Sequence, residues 1–523
     1  MSRKLMLFVN VLMVLALLLG ACAKATEAPT VEPTKAPEAT KAPEATKVPE
    51  PTALPPVEIT WILDGTGEPR DAAEVFAYLN NLPQVKALNV TIKPIWYDWG
   101  SYDQKTQLMF AGGETCDLIF TSSWANNYIN GAVNGNYVAL DDLLPKYAPK
   151  TWEAVGPVAW NMSRVNGKIY AIPNQQLWYN AWGWQMRQDI ADQYGVTKET
   201  INSFEDLSPI MAKILADHPE WKYQIVQGYG PFISGTMGYD TVNGYGNAVI
   251  KFDDSSRKVV NRIELDVYQQ RLKLWREWEQ AGYAPQESID YSTADAARKE
   301  GFFPIKLHVE KPGVSAEDAK IYGKGPWLAE ALEPPVLGYI LPTMTGVCAT
   351  SKNPERALMF KDLMYSDAEV YNTFAKGLEG KHWVWVDKAK KVIGVPEGVD
   401  PTDTGYAPNT DWMYGTVFLS YYQDASQVGA WEETAAGNKA AVLPMAGPFV
   451  FDPTPVSAEL TALTTVDAQY AGPLEQGLVD LDDPAAGVDA WLKAQKDAGL
   501  DKVMAEIQKQ LDAFVAANPD IFK

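Results

Sequence analysis

Glu58-Ile-Thr-Trp-Ile-Leu63, Val90-Thr-Ile-Lys-Pro-Ile95 and Asp117-Leu-Ile-Phe120 are three short apolar runs, and the stretches between them read as helices. The first run breaks at Asp64-Gly65-Thr66-Gly67, and Ala72 to Leu79 then reads as helix. Tyr102 to Phe110 reads as a second helix, ended by Gly112-Gly113. Strand and helix in alternation predict an α/β lobe with a mostly parallel sheet. In such sheets ligands sit beyond the carboxyl ends of the strands. That rule selects the loops after Leu63 and after Phe120, and within them Asp64 and Trp124.

Farther out, three helices are marked by their caps and periods. Asn353 precedes Pro354 and Glu355, as helix starts prefer, and Ala357, Phe360, Leu363 and Met364 follow on one face. Tyr268, Leu272, Trp275 and Glu279 repeat at helical spacing. The last helix starts near Asp501 and aligns Val503, Ile507, Leu511, Phe514 and Val515. A 3.6-residue period argues packing, so these residues are assigned to core.

Aromatic residues cluster beside amides and carboxylates. The clusters are Trp96-Tyr97-Asp98-Trp99, then Asn174-Gln-Gln-Leu-Trp-Tyr-Asn-Ala-Trp182-Gly-Trp184, and Asp411-Trp-Met-Tyr414. A ring can cover the apolar C–H face of a pyranose while amides and carboxylates bracket its hydroxyls. Pockets generally pair an apolar wall with a few placed polar groups. Gln175, Gln176, Trp178, Trp182 and Trp412 are candidate ligand contacts on this basis, with packing in the core as the alternative for any single Trp.

The chain opens on Arg3 and Lys4, an apolar run from Leu5 to Leu19, and Leu19-Gly20-Ala21-Cys22. A charged start, an apolar core and a small-residue cleavage site make a secretory signal. The run is short for a membrane span, which needs about 20 apolar residues. Its ending resembles the bacterial lipobox, which implies acylation of Cys22 and an extracytoplasmic domain anchored to the cell membrane. Ala23 to Pro56 is almost only Ala, Pro, Thr, Glu, Lys and Val, with the repeat Lys35-Ala-Pro-Glu-Ala-Thr40 and Lys41-Ala-Pro-Glu-Ala-Thr46. It has nothing to bury and is expected to be a disordered, polyproline-rich stalk.

Formal net charge is −21, which disfavours nucleic acid and anionic lipid as partners. Cys116 and Cys348 remain once Cys22 is set aside; they form one disulfide or two buried thiols, and spacing does not decide.

Val165-Asn-Gly-Lys-Ile-Tyr-Ala-Ile-Pro173 resembles a crossing motif of the extracellular solute-binding proteins of family 1, the binding components of ABC importers. The order of further motifs fits: Gly135-Asn-Tyr-Val-Ala-Leu-Asp-Asp-Leu-Leu144, Arg187-Gln-Asp-Ile190, Ser351-Lys-Asn-Pro-Glu355, Gly377-Leu-Glu-Gly-Lys-His-Trp383 and Glu506-Ile-Gln-Lys-Gln-Leu511. Together they resemble the carbohydrate-type lipoprotein branch with an extra C-terminal region. Cys116 stands where relatives usually carry proline.

The resemblance implies a two-lobed type II periplasmic-binding-protein fold with a ligand cleft between lobes. The expected division is 1–22 signal, 23–56 stalk, 57–172 with 342–402 as N-terminal lobe, and 173–341 with 403–523 as C-terminal lobe. Crossings are expected near Tyr170–Pro173, near Tyr339–Pro342 and after Trp383. Glu379 and His382, in Glu379-Gly-Lys-His382, resemble a family segment placed near the cleft, with a helix-ending turn as the alternative. The expected ligand is a carbohydrate, taken to be an oligosaccharide, and the expected partners are permease subunits. The chain is expected to act as a monomer, with no cofactor, metal or catalytic residue.

Catalytic motifs are scarce. His218, His308 and His382 stand far apart, no zinc helix or phosphate loop occurs, and no nucleophile elbow occurs. The rival reading is a secreted glycoside hydrolase, which needs two carboxyls facing one another at roughly 5 to 9.5 Å. An adhesin would be expected to repeat within its globular part, and no repeat follows Pro56.

Overall fold

The computed structural model describes residues 54–221, 225–227, 237–285, 291–338, 340–401 and 403–519. The leader with Cys22, the stalk up to Ala53 and Tyr339 of the expected second crossing lie outside the described residues. The chain divides into two units between Ala53 and Leu54, and all described residues belong to the second.

In chain order the strands are β1 (Val57–Gly65), β2 (Val90–Asp98), β3 (Leu118–Thr121), β4 (Ala171–Pro173), β5 (Tyr179–Asn180), β6 (Trp182–Arg187) and β7 (Ile225–Gln227). A meander follows, β8 (Tyr239–Thr241), β9 (Ala248–Lys251) and β10 (Val259–Asn261). Then come β11 (Ile305–Val309), β12 (Trp327–Ala331), β13 (Val336–Leu337) and β14 (Met344–Val347).

The first lobe is a five-stranded sheet in the order β2-β1-β3-β14-β4. β1 runs parallel to β2, with Asp64 opposite Tyr97 and Gly65 opposite Asp98. β3 is also parallel to β1, whereas β14 is antiparallel to both β3 and β4. Ile59, Trp61, Ile62 and Leu63 are all buried, the continuous pattern of a strand covered on both faces. The Ala72–Leu79 helix has the expected bounds, and the Tyr102–Gly112 helix ends at Gly113, whose φ of 65° suits a residue without Cβ. β1 continues through Asp64 and Gly65 instead of breaking there, because both pair in register with β2.

The Pro354–Ser366 helix packs Ala357, Phe360 and Met364 into this lobe. Asn353 precedes it as expected, but its side chain makes no capping bond. Tyr406, Met413 and Tyr414, which the expected boundary assigned to the second lobe, pack in the first core.

The second lobe is a four-stranded sheet in the order β12-β6-β11-β7. One face carries Trp184, Met186, Ile305 and Leu307 into a core with Leu272, Trp275 and Trp278. The other face is polar: Lys306 is ion-paired with Asp318 at 2.9 Å and Gln185 donates to Glu310 at 3.0 Å. The meander β8-β9-β10 has a separate core, shared with Phe449, Phe451, Leu463, Val503, Ile507 and Leu511 of the C-terminal region.

Three passages join the lobes and pair with each other. β5 is antiparallel to β13, with Tyr179 opposite Leu337. The third passage adds Val442: Leu337 donates its N–H to the Val442 carbonyl at 2.8 Å, and Val442 donates to Pro335 at 2.9 Å. Asn438, on the Ala430–Ala440 helix, accepts from the Trp178 N–H at 2.7 Å and donates to the Gln176 carbonyl at 2.6 Å.

Cys116 and Cys348 form a disulfide with Cα atoms 5.7 Å apart and a sequence separation of 232. It joins the segments leading into β3 and out of β14, and both cysteines are fully buried.

Candidate functional site

The carboxyl ends of β1, β2 and β3 bring aromatic and acidic side chains together. β2 ends at Asp98, and the next residue, Trp99, donates its N–H to the Gly65 carbonyl at 3.0 Å. β3 ends at Thr121, and the turn after it is held by Ser122, whose Oγ accepts from the N–H groups of Trp124 at 3.1 Å and Ala125 at 2.6 Å. Trp124 is 51% exposed, yet its indole N–H donates to the Pro342 carbonyl at 2.9 Å. Trp412 arrives on the turn Asp411–Met413. Asp411 fixes that turn through an ion pair with Lys376 and a bond from the Ser420 hydroxyl at 3.0 Å.

The three indoles form a near-equilateral group. Ring centroids lie 6.0 Å apart for Trp99 and Trp124, 6.1 Å for Trp99 and Trp412, and 6.3 Å for Trp124 and Trp412. Phe120 backs the group, 5.7 Å from Trp124 and 5.8 Å from Trp412. Trp99 is 42% exposed. Two half-exposed indoles and a third, half-buried one offer an apolar platform suited to stacking against C–H bonds.

Asp64 lies at the strand end beside this platform and is buried. Its Oδ1 accepts the Gly65 N–H at 2.9 Å. Burial raises its pKa to about 7; the Gly65 bond pulls it down, and Asp103 and Asp98 push it up. The neighbouring acids are already engaged: Asp98 with Ser101 and with Lys105 at 3.6 Å, and Asp103 with the Asn126 N–H at 2.5 Å.

Gln176 reaches the rim of the same group. Its Nε2 donates to the Thr343 hydroxyl at 3.0 Å, one residue from the carbonyl that holds Trp124. Gln175 lies on the passage beside it and donates its N–H to Gly415 at 2.8 Å and its side-chain amide to Ala154.

The other candidates lie elsewhere. Trp178 is 6% exposed, packs in the first core and donates its indole N–H to the Asn174 carbonyl at 2.9 Å. It belongs to the passage between lobes, where Asn438 bonds its N–H and the Gln176 carbonyl. Trp182 is buried on β6, opposite Val309. Glu379 is exposed on a turn that pairs with Trp383. His382 is buried; its Nδ1 accepts from the Leu378 N–H at 2.9 Å and its Nε2 faces Asp71 at 3.2 Å. Burial lowers the His382 pKa, while hydrogen bonds from Lys381 and His382 lower that of Asp71 to about 2. These contacts make His382 and Asp71 an anchor at the helix-ending turn.

Trp99 was not singled out in the sequence although its cluster was. The rule that chose Asp64 and Trp124 applies to it equally, since it directly follows the end of β2. The Pro342 carbonyl and Phe120 carried no such signal.

Residues 444–516 match a domain described as "Domain of unknown function (DUF3502)". The chain is 26% identical over 466 residues to a carbohydrate ABC transporter substrate-binding protein of Streptococcus pneumoniae serotype 4, covering 86% of this chain and 89% of that protein. Its fold matches the crystal structure of the N-glycan transport solute-binding protein NgtS from Streptococcus pneumoniae. The TM-score is 0.76 at 21% identity, covering 88% of this chain and 99% of that one. The same protein in complex with Man5GlcNAc matches at a TM-score of 0.64 and 22% identity, covering 88% and 99%. An extracellular solute-binding protein from Bifidobacterium longum subsp. infantis matches at 0.59 and 15% identity, covering 87% and 98%. The resemblance to extracellular solute-binding proteins and the two-lobed fold read from the sequence are both borne out.

Proposed function

We propose that this chain is the extracytoplasmic substrate-binding component of an ABC importer, capturing a carbohydrate between its lobes and handing it to permease subunits. The observation that carries the reading is the platform of Trp99, Trp124 and Trp412 at the strand ends, beside the buried carboxyl of Asp64. Flat apolar faces next to hydroxyl acceptors are what a sugar ring requires. The similarity to a carbohydrate ABC transporter substrate-binding protein, and to a solute-binding protein solved with an N-glycan fragment, supports an oligosaccharide as the ligand. Asp64, Trp99, Trp124, Gln176 and Trp412 are the assigned contacts. The protein works as a monomer held at the membrane by a lipid on Cys22.

Hydrolysis is not part of this reading. The acids nearest the platform are bonded to backbone, hydroxyl or lysine partners, and the similar proteins are named for binding and transport.

The test is a thermal-shift and calorimetry screen against neutral mono- and oligosaccharides, Man5GlcNAc included. A sugar at 100 times its Kd is expected to add about 2.7 kcal/mol of stability. A screen in which no sugar shifts melting, while a peptide or other solute does, rejects the carbohydrate assignment.

A further inference from the structure

The Pro354–Ser366 helix buries a lysine where its period calls for an apolar residue. Lys361 follows Ala357 by one turn on the core face and is fully buried. Its ammonium donates to the Asn174 Oδ1, the Thr345 Oγ1 and the Tyr414 carbonyl, each at 2.8 Å. The Trp61 and Tyr365 rings lie 4.8 Å and 5.6 Å from it. All three N–H bonds are used, and among the described residues no carboxylate is paired with it. Burial pushes its pKa well below the usual lysine value. Taking an ammonium out of water costs several kcal/mol, and a leucine or methionine here would pack without that cost.

What the cation joins is specific. Asn174 is the first residue beyond β4, where the chain leaves the first sheet, and its N–H donates to the Thr343 carbonyl at 2.9 Å. Thr345 lies on β14, where the chain returns, three residues after the Pro342 carbonyl that holds Trp124. Tyr414 lies two residues after Trp412, and its neighbour Gly415 accepts the Gln175 N–H at 2.8 Å. The three acceptors therefore come from the outgoing passage, the returning passage and the segment that carries the third indole.

We infer that Lys361 is a positioning residue for ligand capture: from inside the first lobe it fixes the points where the passages leave that lobe, together with the segments that hold Trp124 and Trp412. An apolar side chain would fill the space but tie none of these segments to another. Without the tie the lobes sample a wider range of angles. Apparent affinity falls by the fraction of molecules that are competent to bind.

The inference rests on the two-lobed sugar-capture reading, and its test has one readout that needs no sugar. Dyes on azido-phenylalanine in place of Leu108 in the first lobe and Lys213 in the second report the interlobe distance by single-molecule energy transfer in the full chain. The parent is expected to give one narrow population, Lys361→Met a broad one and Thr345→Val an intermediate one. With Man5GlcNAc as probe, Lys361→Met is expected to bind about tenfold more weakly. A purely structural lysine would lower the melting temperature while leaving the width and the Kd of folded protein unchanged, and that result overturns the inference. Should Lys361→Met fail to fold, Thr345→Val decides by the same two readouts. If the parent binds no sugar, the proposed function fails, and the sugar-free width alone judges Lys361.

Discussion

Trp124 and Trp178 are the same residue type in opposite environments. Trp124 is 51% exposed and Trp178 is 6% exposed. Trp124→Ala is therefore expected to cost about 2 kcal/mol of sugar binding, roughly a thirtyfold loss of affinity, with little change in the melting temperature of the free protein. Trp178→Ala is expected to cost about 3–5 kcal/mol of folding stability. Calorimetric titration and thermal melts of both variants separate the two outcomes, and a Trp124 variant that melts early yet binds normally would remove it from the site. Asp64 gives a second expectation. Its carboxyl titrates near 7 when folded, so between the usual carboxylate range and about pH 7 the folded protein holds a proton that the unfolded chain does not. Its contribution to stability is full below that window and falls as pH rises through it. Asp64→Asn keeps the Gly65 bond and is expected to flatten the fall in melting temperature between about pH 4 and about pH 7. A variant whose melting profile over that range matches the parent's rules this out.

At the level of elements, the C-terminal region supplies a core that the meander lacks. The meander and its first turn bury Val242, Ala248, Ile250 and Val259 against Phe449, Leu463, Ile507 and their neighbours. Ile507→Ala is expected to cost about 2–5 kcal/mol, read by chemical denaturation, and to leave the Kd for sugar unchanged because no indole of the platform touches this core. A parallel loss of affinity would mean that the region shapes the site. First-lobe elements were legible in the sequence because β1 and β3 are buried on both faces and read as unbroken apolar runs. β5 and β13 were not: two residues carry no period, and the pairing of Tyr179 with Leu337 spans 158 positions that only the fold brings together. The candidate site was legible where strand ends set it, at Asp64 and Trp124. It was not legible where a hydrogen bond decides burial, as at Trp178, whose indole turns inward to Asn174.

For the whole molecule, no helix among the described residues is long and apolar enough to cross a membrane; the proposed retention at the membrane rests on Cys22. Cys22→Ala is expected to move the protein from the membrane fraction into the medium, scored by fractionation and blotting. Equal retention of the variant would end the lipid-anchor proposal. Purified protein left with the sugar that stabilises it is expected to return that sugar intact by chromatography, and sustained release of shorter products would reinstate the hydrolase.

On the proposed export, the Cys116–Cys348 bond also sets an order of events. A chain delivered amino end first presents Cys116 while its partner is still 232 positions away. Through that interval β3 waits without β14, whereas β6, β7, β11 and β12 all emerge between the two cysteines and can close their sheet first. The sheet that starts the chain is the sheet that closes last. The waiting thiol has one other candidate within the sequence, Cys22, and on the proposed acylation that sulfur is already capped as a thioether. On that proposal lipid attachment would do a second job: it would leave a single pair to be joined.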